Sequence, residues 1–361
     1  MSSIIDFTGY YIIGFVAFIF ILVMIHELGH YFAARMCGVY VEAFSIGFGK
    51  PLLQITDKRG TVWKFCPLLL GGYVKMKGEM VSLSTQSLSE DKDAYHNKTL
   101  LQKAFIVFAG PLMNLIFPVF CFFIISYFYS INVQSPTIGE VLKDSPSTNL
   151  LLSGDKILTI NQQKIVKASD ILNVLQPLAD KKTVVTVMRE NQVKNIDIKL
   201  GHHTVNNQKS GYLGIKFDPN AYSKVHLSFS DSIKNTFVVY KHMTALISSG
   251  IIRLLTGNIK KDELGGPIVI AKMSGTILKK GLNDWIYFLG VFSINLALLN
   301  LLPIPALDGG HLLTYAVEAI TRRKISPKIQ VVLSTVGFSL IIMLMIFVTF
   351  NDIMRLIKDI F

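Results

Sequence analysis

Four apolar runs in this 361-residue chain are each about as long as a helix that crosses a bilayer, and they confine the fold to a bundle of membrane helices. They are Tyr10 to Ile25, which continues through a polar island to Ala34, then Phe105 to Tyr129, Trp285 to Leu302, and Val331 to Phe350. Inside hydrocarbon a backbone N–H finds no water, so a run of this kind must close its hydrogen bonds within itself. The composition agrees: 51% of residues are hydrophobic and 17% charged, where soluble domains carry about 25% charged residues. The first run has no basic leader and no A-x-A site, so it is expected to stay as a span.

Between the runs the chain changes character. Residues 38–103 are mixed and basic, with short strands expected at Val41–Ile46 and Leu52–Ile55, then a strand-like Trp63–Val74 broken by Gly71-Gly72. Val81–Asn97, rich in Ser and charge, reads as a flexible loop. Residues 134–220 alternate short strands with one helix at Ala168–Gln176 and a hairpin of Val184–Arg189 with Val193–Leu200. That order, and the run Ser153-Gly154-Asp155-Lys156-Ile157-Leu158-Thr159-Ile160-Asn161, resembles a PDZ domain, whose sheet edge and helix grip an extended peptide. Residues 227–283 are amphipathic and read as one or two helices lying at the membrane interface.

The expected division is 1–37 first span, 38–103 cytoplasmic or re-entrant β region, 104–130 second span, 134–220 PDZ unit, 227–283 interfacial helices, 284–310 third span, and 328–361 fourth span with a tail. The basic 38–103 and 311–328 loops belong in the cytoplasm by the positive-inside rule, leaving the PDZ unit and both termini outside. The net charge of +12 is accounted for by such loops. With no zinc-finger spacing, RNA-binding motif or basic heptads present, nucleic acid is not an expected partner. Three widely spaced cysteines, Cys37, Cys66 and Cys121, form neither a disulfide framework nor a CxxC site.

The polar island in the first run is His26-Glu27-Leu28-Gly29-His30. On a helix this H-E-x-x-H spacing puts two imidazoles on one face, one turn apart, where both can ligate Zn²⁺ and the Glu can take a proton from water. Ionisable groups within a span are costly and mark function. A hydrolytic zinc needs a third protein ligand. The metzincin extension is absent, since Ala33 and Met36 stand where Gly and His would be needed. Asp308, beside the third span at matching depth and followed by Gly309-Gly310, is the best-placed acid; Glu318 and Asp352 are worse placed.

HELGH, GFGKPL, GGYVKMKGE, AGPLMN, the PDZ-like insert, LGGPIVIA and SINLALLNLLPIPALDGGH together resemble the site-2 protease family, in register over nearly the whole chain. The layout is similar to the regulator of sigma-E protease type, but with room for one PDZ unit where the best-known members carry two. The resemblance implies a polytopic α-helical membrane protein of four transmembrane helices, a membrane-associated β-hairpin or sheet and one inserted, mostly β, PDZ domain. It implies one zinc ion held by His26, His30 and Asp308, with Glu27 as catalytic base. It matches Asn295 and Asn300 to asparagines that hold the substrate backbone or the oxyanion, a role such residues share with helix–helix hydrogen bonding. Gly71, Gly72 and Tyr73 match a re-entrant hairpin that could pair with an unwound substrate by strand addition. The implied partners are single-span membrane protein substrates, such as anti-sigma factors or leftover signal peptides, a peptide at the PDZ unit, and the bilayer of a bacterial inner membrane. Two rival readings make different demands: a transporter should show inverted repeats, and a scaffold would tolerate a degraded HExxH.

Overall fold

The computed structural model describes residues 2–79, 91–205, 208–258 and 265–360. The chain divides into two units, one of residues 1–125 with 233–361 and one of residues 126–232.

The larger unit is a helical bundle with a small sheet. Its helices are α1 (Ser2–Met36), α2 (Leu100–Phe128), α4 (Phe229–Leu255), α5 (Pro267–Lys280), α6 (Leu282–Asn300), α7 (Asp308–Thr321) and α8 (Pro327–Ile360); α2 and α4 each begin or end in the second unit, which also holds α3 (Ala168–Leu175). Among the described residues, four stretches are long and apolar enough to cross a membrane: Tyr10–Met36, Leu100–Phe128, Leu282–Asn300 and Lys328–Arg355. The protein is therefore a polytopic helical membrane protein.

The sheet is made of β1 (Val41–Phe48), β2 (Leu53–Thr56), β3 (Val62–Phe65) and β4 (Leu68–Met76), in the order β2-β3-β1-β4. Central β1 pairs parallel with β3 and antiparallel with β4, with Tyr73 opposite Ser45. β1 is buried along most of its length because it packs on the last turns of α1: Val41, Phe44 and Ile46 share a core with Tyr31, Ala33 and Ala34 of α1 and Ile106 of α2. The strand break falls at Cys66-Pro67 and not, as expected, at Gly71-Gly72. Pro67 cannot donate to the ladder, whereas Gly72 stays within β4 because a Cβ there would meet Val23 and Glu27 of α1 at under 3 Å.

Two other expectations change. The 311–328 loop is largely a helix, α7, whose first residue is Asp308. Of the expected flexible loop at 81–97, residues 81–90 lie outside the described residues, and 91–97 end in a turn that buries Ala94 and Tyr95. Leu264, the first residue of LGGPIVIA, also lies outside them.

Polar groups lock the outer parts of the bundle. Gly14 of α1 and Gly275 of α5 meet backbone to backbone, and Phe18 stacks on Phe288 of α6 at 4.8 Å. Buried Asp352 of α8 accepts the N–H groups of Gly266, Ile268 and Val269 at 3.0–3.2 Å, so its carboxylate caps the positive end of α5. In α4, Tyr240, Met243 and Ile247 pack on a cluster of Cys121, Phe122 and Ile294.

The second unit is mostly β, as expected of a PDZ domain. β7 (Lys156–Ile160), β8 (Gln163–Lys164), β9 (Lys182–Arg189) and β10 (Gln192–Lys199) form a sheet in the order β10-β9-β7-β8. Asn161-Gln162 and Glu190-Asn191 all have positive φ, the backbone that two-residue hairpin turns require. Ile171 and Leu175 of α3 pack on Ile157, Val185 and Val187. Three further pairings close the unit: β6 (Ile138–Val141) with β13 (Ile215–Phe217), β11 (Gly201–Val205) with β12 (Gln208–Tyr212), and β5 (Ile131–Gln134) with β14 (Tyr222–Val225).

Asp155, 1% exposed, is held by two hydrogen bonds from Arg189 at 2.7 Å and one from the Leu152 N–H. Burial works against the charge, but these donors prevail and hold the carboxyl below the usual carboxylate range. Asp155→Ala should therefore destabilise this unit by about 3 kcal/mol, measured as faster hydrogen exchange of β7 and β9 amides in the full chain. The contribution is complete above about pH 4, where an unfolded Asp ionises, and fades as pH falls through the depressed folded value.

Candidate metal centre

α1 runs unbroken through the HELGH sequence, so His26 and His30 project from one face one turn apart. Their Nε2 atoms are 3.2 Å apart. Asp308 joins them from the start of α7, with Oδ2 at 3.2 Å from His26 Nε2 and Oδ1 at 3.6 Å from His30 Nε2. Bonds of about 2.0–2.1 Å at tetrahedral angles put a zinc ion's donors about 3.3 Å apart. The spacing of the three side chains would suit one face of a zinc tetrahedron, with a fourth corner left for water or substrate. Two imidazoles and a carboxylate are also a donor set that suits this metal. Among the described residues, this is the group with metal-ligating geometry.

The glycines around the centre are there for space. Gly309 and Gly310 let the first turn of α7 fold back on the carbonyls of Leu301, Leu302 and Ile304, and Ala306 turns with φ 80° between them. Gly29 lies so close to α2 that a Cβ would collide with the Ala109 carbonyl, and a Cβ on Gly110 would collide with His30 Nε2. This close approach sets both rings. His30 Nδ1 donates to the Ile106 carbonyl at 2.9 Å, which leaves Nε2 bare for metal. The amide of fully buried Asn114 lies 3.3 Å from His26 Nδ1. Turned so that Oδ1, otherwise a buried acceptor with no partner, faces the ring, it accepts the Nδ1 proton and frees Nε2 of His26.

Asn114 is itself held in place. In a continuous helix its carbonyl would accept from residue 118, but that residue is Pro118 and has no N–H. The hydroxyl of Ser293 on α6 takes the role, donating to the Asn114 carbonyl at 2.8 Å. At the other end of the site the hydroxyls of Tyr95 and Tyr315 meet at 2.7 Å and tie α7 to the turn before α2. Burial pushes both phenols up, so both stay protonated and the bond persists at working pH.

Glu27 is 8% exposed and lines, with His26, His30 and Asp308, a cavity of about 1150 Å³. Gly72 and Tyr73 of edge strand β4 form part of its wall. Gly71 lies against Phe48. Asn295 and Asn300 are half-buried on α6 and are not among the residues that line this cavity.

Residues 14–344 match the model of peptidase family M50. The chain belongs to that family, the site-2 proteases. This M50 peptidase is 33% identical to an Agrobacterium fabrum protein named for a zinc metalloprotease, over 99% of this chain and 100% of that one. It is 37% identical to a similarly named Rickettsia conorii protein, over 96% and 99%, and 35% identical to one from Campylobacter jejuni, over 97% and 96%. The PDZ domain of an SdrC-like protein from Listeria monocytogenes is similar over 24% of this chain and 90% of that one, at 16% identity and a TM-score of 0.22; so low a score adds nothing to the strand order described above. The M50 peptidase is a zinc metalloprotease.

The structure brings the expected His26, His30 and Asp308 together and puts Glu27 on the same cavity; the sequence marks Asn114, beside Ala109-Gly110-Pro111, as out of place in a lipid-facing helix but does not pair it with His26, and it does not point to Ser293. The signal for Asn114 was an amide one turn from a proline in an otherwise apolar run; nothing local marked Ser293. Asn114→Ala should weaken zinc binding about 10–100-fold, and Gly110→Ala should abolish it by displacing the His30 ring. Competition with a chelator, read on folded full-chain protein, measures both.

Proposed function

We propose that the protein is an intramembrane endopeptidase that cuts single-span membrane proteins, holding one zinc ion per chain at His26, His30 and Asp308. The observation that carries this reading is the donor triangle of 3.2, 3.2 and 3.6 Å, which opens together with Glu27 into one cavity beside a membrane span. Zinc supplies a Lewis acid that polarises the scissile carbonyl and makes water acidic enough to react near neutral pH. Glu27 takes the proton from the attacking water and passes it to the leaving amine.

A helical substrate hides its carbonyls in its own hydrogen bonds, so it must unwind to be cut. Edge strand β4 offers a template for the unwound chain: one side is paired with β1, and Gly72 and Tyr73 face the cavity. Gly71, Gly72 and Tyr73 are accordingly assigned to substrate pairing by strand addition. Asn295 and Asn300, half-buried on α6, are assigned either to holding the substrate backbone or the oxyanion or to helix–helix hydrogen bonding.

The reading extends to regulated intramembrane proteolysis of substrates already trimmed outside, such as membrane-bound anti-sigma factors and leftover signal peptides. The PDZ unit then acts as a filter that takes a peptide and holds back bulky external domains. The location is a bacterial inner membrane, with this unit and both termini periplasmic and the metal centre near the cytoplasmic face, on the strength of the basic loops that flank the centre.

The test uses full-chain protein in liposomes with a tagged single-span substrate. Wild type should cleave it, and Glu27→Gln should lose at least 100-fold in rate while keeping its zinc. Cleavage by Glu27→Gln at the wild-type rate would sink the assignment.

A further inference from the structure

One face of α7 forms a wall of the metal cavity. Asp308, His311, Tyr315 and Glu318 all line it, and they recur every three or four residues, as one stripe of a helix does. Three of the four side chains are engaged. Asp308 meets His26 and His30, the Tyr315 hydroxyl meets that of Tyr95, and Glu318 accepts the Ile325 N–H. His311 differs: it is exposed, it lines the cavity, and among the described residues its ring makes no hydrogen bond or ion pair.

The position of His311 puts it beside the metal ligands. Residues three apart on a helix share a face, with Cβ atoms about 5–6 Å apart, so this imidazole stands one turn from the Asp308 carboxylate. It also lies close enough to His30 for a charge on one ring to act on the other. Local stability does not call for a histidine here. The first turn of a helix gains from acids, not from a base, and a ring that bonds to nothing holds nothing in place.

Peptide hydrolysis supplies a task for it. When the water oxygen bonds to the scissile carbon, the π pair of the carbonyl moves onto its oxygen, which becomes negative. Fixed donors aimed at that oxygen are usually a large part of such catalysis. The cavity's other polar groups are committed or distant. Glu27 takes the proton of the water, and Tyr95 and Tyr315 bond each other. Lys98, Lys103 and His96 bond the carbonyls of Gly38, His96 and Gly78. Arg322, Arg323 and Lys324 lie beyond the far end of α7, and Asn295 and Asn300 do not line the cavity. Resting on the peptidase reading, we propose that His311 is a further catalytic residue, whose ring N–H donates to the scissile carbonyl oxygen as that oxygen becomes negative.

The experiment measures inhibitor binding to full-chain, zinc-loaded protein in neutral-lipid nanodiscs. Two inhibitors with the same short apolar sequence are compared. One is a phosphinic peptide, whose tetrahedral, charged oxygens resemble the reacting carbonyl; the other is a hydroxamate, which grips the metal as a planar group. His311→Leu should weaken the phosphinic peptide about 100-fold, as loss of an oxyanion donor does, and the hydroxamate by less than about threefold, with bound zinc unchanged. His311→Gln, which keeps a side-chain N–H, should recover part of the loss. On a tagged single-span substrate His311→Leu should lower kcat by a similar factor and leave KM nearly unchanged. Equal losses for both inhibitors would make His311 a structural support and overturn the proposal, as would no loss for either. A loss confined to the phosphinic peptide in Asn295→Leu or Asn300→Leu, with none in His311→Leu, also overturns it. If wild type holds zinc but cuts no substrate, the peptidase reading fails and the proposal falls with it. If wild type cuts and His311→Leu binds both inhibitors as wild type does, only the proposal falls.

Discussion

The metal centre depends on one close contact, where α1 at Gly29 meets α2 at Ala109-Gly110 with no side chain between them. In a membrane, helices gain little from burying apolar surface against each other, so small residues that let backbones approach are what bring them together. The contact places the two imidazoles of α1 against donors and acceptors of an antiparallel α2. His30 reaches the Ile106 carbonyl and His26 the Asn114 amide, with Gly110 leaving room for the His30 ring. Each ring is thereby turned to present Nε2 inward, which is what a metal needs from it. A methyl group on Gly29 would part the helices, and one on Gly110 would displace the His30 ring.

A second constraint follows from the first. Placing polar groups among apolar helices is tolerated only when each is answered. Pro118 strips the Asn114 carbonyl of its helical donor, and Ser293 of α6 supplies another. The carboxylate of Asp352 is answered by three N–H groups at the start of α5. Tyr95 and Tyr315 answer each other and thereby fix α7, on which Asp308 stands. The same bonds that avoid unpaired polar groups also hold His26, His30 and Asp308 close together.

Much of this was legible in the residues. The four spans follow from their length and apolarity, and the facing of His26 and His30 from an H-E-x-x-H spacing that a membrane span would not carry idly. The hairpin of the second unit around Glu190-Asn191 follows from the alternating strands on either side of it. Other parts were not legible because long-range contacts decide them. Gly71-Gly72 looks like a strand break, yet Gly72 is a glycine because α1 lies against it. α7 was hidden by the Pro-rich run before it and the basic cluster after it, which together look like a loop. Asn114 is an isolated amide until its neighbours on α1 and α6 are in place.

The central claim, that His26, His30 and Asp308 hold the zinc, is tested most directly by X-ray absorption at the zinc edge on full-chain protein in a bilayer. The account predicts a first shell of nitrogen and oxygen alone at about 2.0–2.1 Å, with the outer-shell signature of two imidazoles, reduced when Asp308 is replaced by Ala. A sulfur shell at about 2.3 Å, placing the metal on a cysteine, or a spectrum without two imidazoles, would contradict it.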